Sequence, residues 1–534
     1  MENSTQSQPG PVPDNDLAHL PANETVPLME GTVGDALRRT ASRFPDRRAL
    51  VWEGKDGLDS MSFRELLEEA ERVAAWLLQH ATPRDRIGIW SRNSVEWVLL
   101  EYGCALSGMV VASWNPGWTN HECNHAMELT SPSIVFADRD TRGASLLDRA
   151  TKIAGEDRTF RLDKLRELTR NSRPATFPDI NPSDLFLIQF TSGTTGRAKG
   201  AALSHRSSIN GGWLRVQAAN VDETDVWLNP IPLNHMGGAI SMVIGCMSAG
   251  ACYVVMHRFD PGEYLRMMQE CGATRIGGVP TMILSLAEHP DWAPGKFHVR
   301  SIGSGGAQVP RPLIERLMRE FDAPVMVTYA QSECPMVSAT TEGDSAQAIS
   351  ETVGRPIAQT EVKICDIRSG KTLQRGETGE VCVRSPLVMN EYYRMPKATS
   401  ETIDEDGFLH TGDLGSIDRQ GYLRINGRAR EVIIRGGENI YPAEIEDCLL
   451  SHPDIVGAAA VPIADDRWGQ IVGAAVQLRE GASQDPQALE AHATERIAHF
   501  KVPRRWMFVD SFPLTPSGKI RKVELEEMFV KAGS

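Results

Sequence analysis

Between Phe190 and Gly200 the chain reads F-T-S-G-T-T-G-R-A-K-G, its densest run of small hydroxyl and glycine residues beside a lysine. Such a run suits an anion. Glycine lets the backbone come close, and successive N–H groups form a concavity that holds phosphate. Thr191, Ser192, Thr194 and Thr195 add hydroxyl donors, Gly193 and Gly196 add bends, and Lys199 adds a charge. It is not the common nucleotide loop, which needs Gly-Lys-Ser/Thr, because Lys199 follows Arg197-Ala198 and precedes Gly200. Four other segments carry reactive groups. His235 sits in the proline-fixed turn Asn229-Pro-Ile-Pro-Leu-Asn-His-Met-Gly-Gly238. Ser304-Gly305-Gly306-Ala307 and Tyr329-Ala330-Gln331-Ser332-Glu333 are small and polar, and Lys519 sits in a Pro/Gly turn from Pro513 to Arg521. Each of these, taken alone, is more often a plain turn than a site.

The elements that must hold them follow from hydrophobic period. Leu185 to Phe190 reads as a buried strand entering the loop, and Ala201 to Leu203 as a short apolar run leaving it. Thr32 to Arg43 has helical period, Arg48 to Trp52 is a strand, and Ser62-Phe63-Arg64-Glu65 is a capping box opening an amphipathic helix. Arg86 to Trp90, Met109 to Ser113 and Ile134 to Ala137 are strands, with a largely apolar helix from Ser94 to Ala105. Strands alternating with helices predict parallel sheet with helical crossovers. Beyond the loop we expect an apolar helix over Ala239 to Met247 and a strand over Ala273 to Met282 with a helix starting at Pro280-Thr281. Further strands are expected over Val299 to Gly303 and Val325 to Tyr329. Three strand ends thus finish in small or polar residues. Parallel sheets bind ligands at the carboxyl ends of their strands, which supports a site at the loop independently.

From Val362 the strands shorten into a small antiparallel unit, and Gly427 to Glu431 is charged and hinge-like. The remainder is a compact α+β unit in which Pro442 suits a helical first turn. The expected fold is a large α/β N-terminal domain, parallel-rich with a small antiparallel β unit, and a small mobile α+β C-terminal domain. Its divisions are a flexible tail 1–29, a large domain 30–427, a hinge 428–431 and a small domain 432–534.

The bulk properties exclude several classes. A net charge of −14 argues against a nucleic-acid binder, and no apolar run is long enough to span a bilayer. Residues 1–29 lack the basic and apolar regions of a secretory signal. Nine irregularly spaced cysteines point to free thiols in a reducing compartment, and so to the cytoplasm. His121-x-Cys123-x-His125 could put three ligands on one face of a strand, but it has no second half of the kind zinc sites show.

Together the segments resemble the adenylate-forming superfamily of acyl-CoA synthetases, luciferases and peptide-synthetase adenylation domains. The likeness runs from about Thr32 to Lys522. Its motifs are the loop Thr191–Gly200, Tyr329-Ala330-Gln331-Ser332-Glu333, Thr411-Gly412-Asp413, Gly427-Arg428-Ala429-Arg430, Arg435-Gly436-Gly437-Glu438-Asn439 and Pro516-Ser517-Gly518-Lys519. The resemblance implies an AMP-forming acid–thiol ligase working in two steps, first acyl-AMP plus pyrophosphate and then acyl-CoA plus AMP.

It also implies the roles. The loop would hold the β- and γ-phosphates, with Gly305, Gly306, Ala307, Ala330 and Gln331 also around the nucleotide. Tyr329 would lie on adenine, Ser332 would bond a phosphate oxygen, and Glu333 would bind Mg²⁺. Asp413 would accept the ribose hydroxyls with Arg428 close by, Lys519 would bridge carboxylate and α-phosphate, and Arg430 would be the hinge residue. Gly436, Gly437 and Glu438 would line the coenzyme A tunnel. His235 would stand where the tunnel meets an acyl pocket lined by Asn234, Met236, Gly237, Gly238, Gly277, Gly278, Gly303 and Gly305.

The chain departs from the family's pattern in Ala198 before Lys199, in Ala330 after Tyr329 and in the arginine at 430; none removes a catalytic group. Met236 stands where amino-acid-activating relatives carry an aspartate, which argues for an apolar acid. A fatty acid is the default and an aryl or terpenoid natural-product acid the competitor. A separate carrier protein is the alternative acceptor, and a homodimer is open as the assembly. A luciferase-like oxygenase and a non-catalytic binding protein are the other readings, the latter opposed by the intact Glu333, Asp413, Arg428 and Lys519.

Overall fold

The computed structural model describes residues 10, 12–138, 145–173, 176–191, 198–436, 438–514 and 520–533. Ser192, Gly193, Thr194, Thr195, Gly196, Gly437 and Lys519 lie outside them. Two compact units are present: one is built mainly from Leu20–Val362 and Val383–Leu409, the other from Asp14–His19, Lys363–Cys382 and His410–Ser534.

The first unit is organised on two mixed sheets. In the nine-stranded sheet, Arg48–Glu53, Cys252–Val255, Val226–Leu228, Arg275–Gly277, Ser301–Gly305 and Val325–Gln331 run parallel in that spatial order. Antiparallel strands close it: Leu58–Ser62 at one edge, Cys334–Ala339 and Arg355–Pro356 at the other. The seven-stranded sheet has Leu185–Thr191, Val110–Trp114, Arg86–Trp90, Ile134–Ala137 and Thr159–Arg161 in parallel. Lys199–Ser204 and Glu391–Tyr392 add an antiparallel edge to it. Strand residues Val51, Leu228, Val254, Ile276, Ile302 and Val327 pack against Tyr264, Met268, Leu286 and Leu317 from helices in one core. Each such side chain contributes about 1.5–3 kcal/mol on leaving water.

Helix starts follow the sequence closely. Glu65 N–H donates to Ser62 Oγ at 3.3 Å and Ser62 N–H to Glu65 Oε2 at 2.8 Å, so the predicted capping box forms and opens helix Phe63–His80. Thr32 with Asp35, and Thr119 with Glu122, make the same reciprocal pair.

Other expectations give way. His121, Cys123 and His125 lie on the helix Asn120–Thr130, not on a strand. At about 100° per residue, Cys123 turns away from the two histidines. Its thiol enters the core, and the ring of His125 bonds through Nε2 to the Ala198 carbonyl at 2.9 Å. The strand expected over Ala273 to Met282 shrinks to Arg275–Gly277, because Pro280 opens the helix Pro280–Ala287. The helix expected over Ala239 to Met247 is a π-helix, Gly237–Ile244, running into a short α-helix, Gly245–Ala249. Within the expected tail, Asn210 bonds both N–H and C=O of Met29, Trp213 bonds Pro27 O, and Gln359 bonds Asn23 O and Val26 O.

In the second unit, residues 413–417 of the strand Leu409–Ile417 pair antiparallel with Leu423–Arg428. A further sheet joins Glu438–Ile440, Ile433–Arg435, Gly469–Leu478 and Ile455–Asp465, with Arg505–Phe508 beside Gly469–Leu478. Ile433, Ile445, Leu449, Ala460, Val472 and Val476 form its core.

Candidate active site

The loop that dominates the sequence is the tip of a hairpin. Leu185–Thr191 pairs antiparallel with Lys199–Ser204, and Thr191 is the register partner of Lys199. The two ends of the loop are therefore fixed side by side. From this base Lys199 reaches a residue the sequence did not single out: its Nζ lies 4.7 Å from the ring centroid of Tyr392. The Tyr392 phenol donates to Glu333 Oε1 at 2.6 Å, the short distance expected of a charge-assisted bond. Backbone bonds hold this chain of groups. Tyr392 pairs with Ala201, Tyr393 N–H donates to Gly200 O at 2.7 Å, and Met389 N–H donates to Glu333 O at 2.8 Å. A cation, an aromatic ring and a carboxylate thus stand in line at the mouth of the predicted phosphate loop.

Glu333 and Ser332 form a two-residue connection, since Gln331 pairs directly with Cys334 across the hairpin. Gln331 Nε2 donates to the Tyr329 hydroxyl at 3.1 Å, and a bulge lies between Tyr329 and Gln331. The neighbouring strand end explains its glycines. A Cβ on Gly305 would lie 2.9 Å from the Thr328 carbonyl oxygen, and Gly306 has φ +79°. Gly277 and Gly303 are register partners, and Gly278 N–H donates to Gly303 O at 3.2 Å. These predicted pocket glycines therefore come together.

The histidine turn is pinned from two sides. Asn93 accepts from Leu233 N–H at 2.7 Å and donates to Ile231 O at 3.0 Å. Gln189, on the strand entering the predicted phosphate loop, donates to Asn234 O at 2.6 Å. His235 is exposed, and its Nδ1 accepts from Gly237 N–H at 3.1 Å, which leaves Nε2 as the protonated nitrogen of the neutral ring. Met236 is buried. Gly238 cannot carry a side chain, because its Cβ would meet Pro232 O at 2.3 Å. Asn93 and Gln189 were not foreseen; an amide inside an otherwise apolar strand was the available signal for Gln189.

In the second unit, Asp413 is the cross-strand partner of Arg428, and Arg428 Nε donates to Asp413 Oδ1 at 3.0 Å. Asp413 is 4% exposed, whereas the Arg428 side chain is 40% exposed. The turn before Asp413 is set by three contacts. Thr411 Oγ1 donates to Val381 O at 2.7 Å, Gly412 N–H donates to Glu380 Oε1 at 3.1 Å, and Glu380 Oε2 lies 2.8 Å from His410 Nδ1. Gly412 has φ +68°, a conformation that disfavours other residues. Glu380, Cys382 and His410 also bring three potential metal-ligand atoms within 4.8 Å of one another.

The expected hinge is a single 3₁₀ turn, Ala429–Glu431, following directly on Arg428. Burial and the charge of Arg428 lower the Arg430 guanidinium, against Glu431 and Asp413. Burial alone would lower the Lys522 ammonium, but Glu446 at 2.7 Å and Glu431 at 3.2 Å outweigh it and raise its affinity for the proton. Gly436 has φ +60°, and its Cβ would lie 2.8 Å from the Trp468 ring, over which Arg435 also stacks at 4.9 Å. Trp468 is a second residue the sequence did not flag. The lysine turn is closed at its base by a bridge between Leu514 and Ile520 and by Arg521 N–H donating to Pro513 O at 2.8 Å.

The pattern of a model for AMP-binding enzymes matches residues 37–393, and that of the AMP-binding enzyme C-terminal domain matches residues 444–519. The chain belongs to the AMP-binding enzyme family. This AMP-binding enzyme is 31% identical to the mitochondrial medium-chain acyl-CoA ligase ACSF2 of Rattus norvegicus, over 97% of this chain and 90% of the relative. It is 29% identical to the putative acyl-CoA synthetase YngI of Bacillus subtilis, over 94% of this chain and 98% of that one. Among solved structures, ATP-bound MatB from Rhodopseudomonas palustris superposes with a TM-score of 0.86 at 28% identity, covering 93% of this chain and 99% of that one. The o-succinylbenzoate CoA synthetase MenE of Bacillus subtilis, in complex with its acyl-adenylate, does so with a TM-score of 0.81 at 28% identity, over 93% and 99%. The AMP-binding enzyme is thus an acyl-CoA synthetase of the adenylate-forming superfamily, an AMP-forming acid–CoA ligase that uses ATP and activates an acid by adenylation. Among the described residues no helix is long and apolar enough to cross a membrane.

Proposed function

We propose that the enzyme activates a fatty or other bulky apolar acid in two steps at one site. In the first, a carboxylate oxygen attacks the α-phosphorus of ATP, the bond to the β-phosphate bridge breaks, and pyrophosphate leaves. In the second, the sulfur of coenzyme A attacks the acyl carbon, the mixed-anhydride C–O bond breaks, and AMP leaves. The observation that carries this reading is the Lys199–Tyr392–Glu333 chain at the base of the Gly/Thr loop.

Lys199 supplies positive charge where the polyphosphate negative charge gathers, and Tyr392 fixes the Glu333 carboxylate. Glu333 suits Mg²⁺, a hard cation that takes carboxylate and phosphate oxygens and would neutralise the departing pyrophosphate. Asp413 accepts hydrogen bonds from the ribose, with Arg428 holding its orientation. Lys519 bridges the attacking carboxylate and the α-phosphate, offsetting charge that grows in the transition state. Between the steps, the domain 432–534 turns on the domain 30–427 about Arg430. Gly436, Gly437 and Glu438 then border the path of the pantetheine arm.

The test separates the steps. Lys519→Ala should abolish most acyl-AMP formation and leave ATP binding nearly intact, and Gly437→Leu should slow thioester formation more than adenylation. Unchanged acyl-AMP formation in Lys519→Ala would sink the assignment. Adenylation without thioester formation on coenzyme A would turn the acceptor into a carrier protein.

A further inference from the structure

The helix His205–Ala218 packs on the π-helix that follows His235 and reaches the Gly303 strand through Arg215, two segments expected to line the acid. On one side Gly211 and Gly212 let it press on the π-helix that follows His235. A Cβ on Gly211 would lie 3.0 Å from Ile240 Cγ2, and one on Gly212 would strike Gly245 N at 2.7 Å. One turn further on, Arg215 leaves the helix toward the sheet. Its guanidinium lies over Trp227, 5.0 Å from the ring centroid. Its Nη2 would lie 3.6 Å from a Cβ on Gly303, a position otherwise bordered within 4 Å only by the Ile276 carbonyl at 3.8 Å. The guanidinium therefore stands against the Gly303 strand, on the face where a side chain at 303 would touch it.

Arg215 is 5% exposed, and its Nη1 has no hydrogen-bond partner among the described residues. The contrast with Arg275 is direct. Arg275 is 1% exposed and bonds Asp225 at 2.8 Å, Ser301 at 2.8 Å, Ala219 O at 2.5 Å and Asn220 O at 2.6 Å. The ring of Trp227 attracts the charge of Arg215 but accepts no strong hydrogen bond, so burial leaves the Nη1 donor at a cost. Glu101 is also buried without a hydrogen-bond partner among the described residues, but no ion pair joins it to Arg215 among them, and burial pushes its carboxyl well above the usual range. Burial and the like charge of Arg275 lower Arg215 to about 10, so it remains a cation at neutral pH.

We propose that Arg215 reads the far end of the substrate: the acid carries an oxygen acceptor, carboxylate or ketone, remote from the reacting carboxylate, and Arg215 binds it. The proposal rests on the acid-activation reading and narrows it to an apolar body with a polar group at each end. Such an acceptor supplies the hydrogen bond that Nη1 lacks, and a plain alkanoic acid leaves that nitrogen unsatisfied. A site built to bond a polar group rejects the analogue lacking it far more strongly than it rejects a missing methylene.

The experiment is ATP–pyrophosphate exchange by the full-length enzyme with a length series of monocarboxylic acids, matched α,ω-diacids and matched ω-oxo acids. The wild type should prefer an acceptor-bearing acid over its hydrocarbon match by roughly a hundredfold or more in kcat/KM. Preference for the diacid names a carboxylate, and preference for the oxo acid names a ketone. Arg215→Met should collapse that ratio to a few-fold, with Arg215→Lys recovering part of it. Equal use of both kinds by the wild type overturns the inference, with or without a folded variant, and so does a ratio that survives Arg215→Met. No exchange with any acid would instead overturn the adenylation reading on which it stands.

Discussion

Replacing Tyr392 with phenylalanine removes one oxygen and leaves the ring beneath Lys199. The 2.6 Å bond to Glu333 Oε1 goes with it. A hydrogen bond to a charged group contributes about 1.5–3 kcal/mol, so the carboxylate loses that much of its fixed orientation. If the bond orients Glu333 for the metal–nucleotide complex, kcat/KM for ATP should fall roughly 10–100-fold, at about 1.4 kcal/mol per tenfold. The defect should ease as Mg²⁺ is raised, because a loosened ligand weakens metal capture before chemistry. Tyr392→Leu also deletes the cation–ring contact at 4.7 Å, which adds about 0.5–1 kcal/mol. The assay is pyrophosphate exchange across a Mg²⁺ series, with a melting curve to show that the fold is kept. Tyr392→Phe with wild-type kcat/KM at every Mg²⁺ concentration would refute the role given to this chain of groups.

Two further predictions concern pH. His205 is fully buried, and desolvation lowers it to about 4 from 6.5. The unfolded chain takes up a proton there before the folded one does, so stability is full above pH 6.5 and falls as pH drops toward 4, by about 3 kcal/mol in all. His205→Gln should flatten that part of a melting-temperature profile; an unchanged profile would show that other groups carry the acid sensitivity. Lys522, raised above 10.5, stabilises fully below that pH and loses its contribution as pH climbs through its folded value. Lys522→Met leaves Glu446 and Glu431 facing each other and should cost of the order of 2–3 kcal/mol at pH 8. The difference from wild type should vanish in strong alkali, as chemical denaturation would reveal. Gly412→Ala meets no steric obstacle but forces a side chain onto φ +68°, a cost of about 1–3 kcal/mol. Nucleotide affinity measured by calorimetry should fall; an unaltered affinity would separate this turn from ribose binding.

Local chemistry made part of the molecule legible. The Ser62–Glu65 box, the Arg86–Trp90 and Ile134–Ala137 strands, and the loop between two apolar runs each declare themselves within a few residues. Tyr392 did not, because its meaning lies in Glu333, fifty-nine positions away, and in a short edge pairing with Ala201. The alternation His121-x-Cys123-x-His125 reads as a strand, but Thr119 and Glu122 cap a helix there, and the cap decides. The π-helix was hidden because an apolar stretch does not reveal whether its N–H groups reach four residues back or five, as Gly245 N–H does to Ile240 O. Arg215 escaped notice for another reason: an arginine on a helix is ordinarily solvated, and only its surroundings make it unusual.

The Gln189 bond has a thermodynamic corollary. One strand carries both the proposed phosphate loop at its end and, through that amide at 2.6 Å, the histidine turn proposed to stand beside the acid. On the proposed function, a ligand that shifts the strand's end and strains this bond shifts the turn, and occupancy of the two proposed sites then shares a free energy. By reciprocity, whatever factor ATP adds to the affinity for the acid, the acid returns to ATP. Gln189→Leu, by uncoupling them, should make the two bind independently.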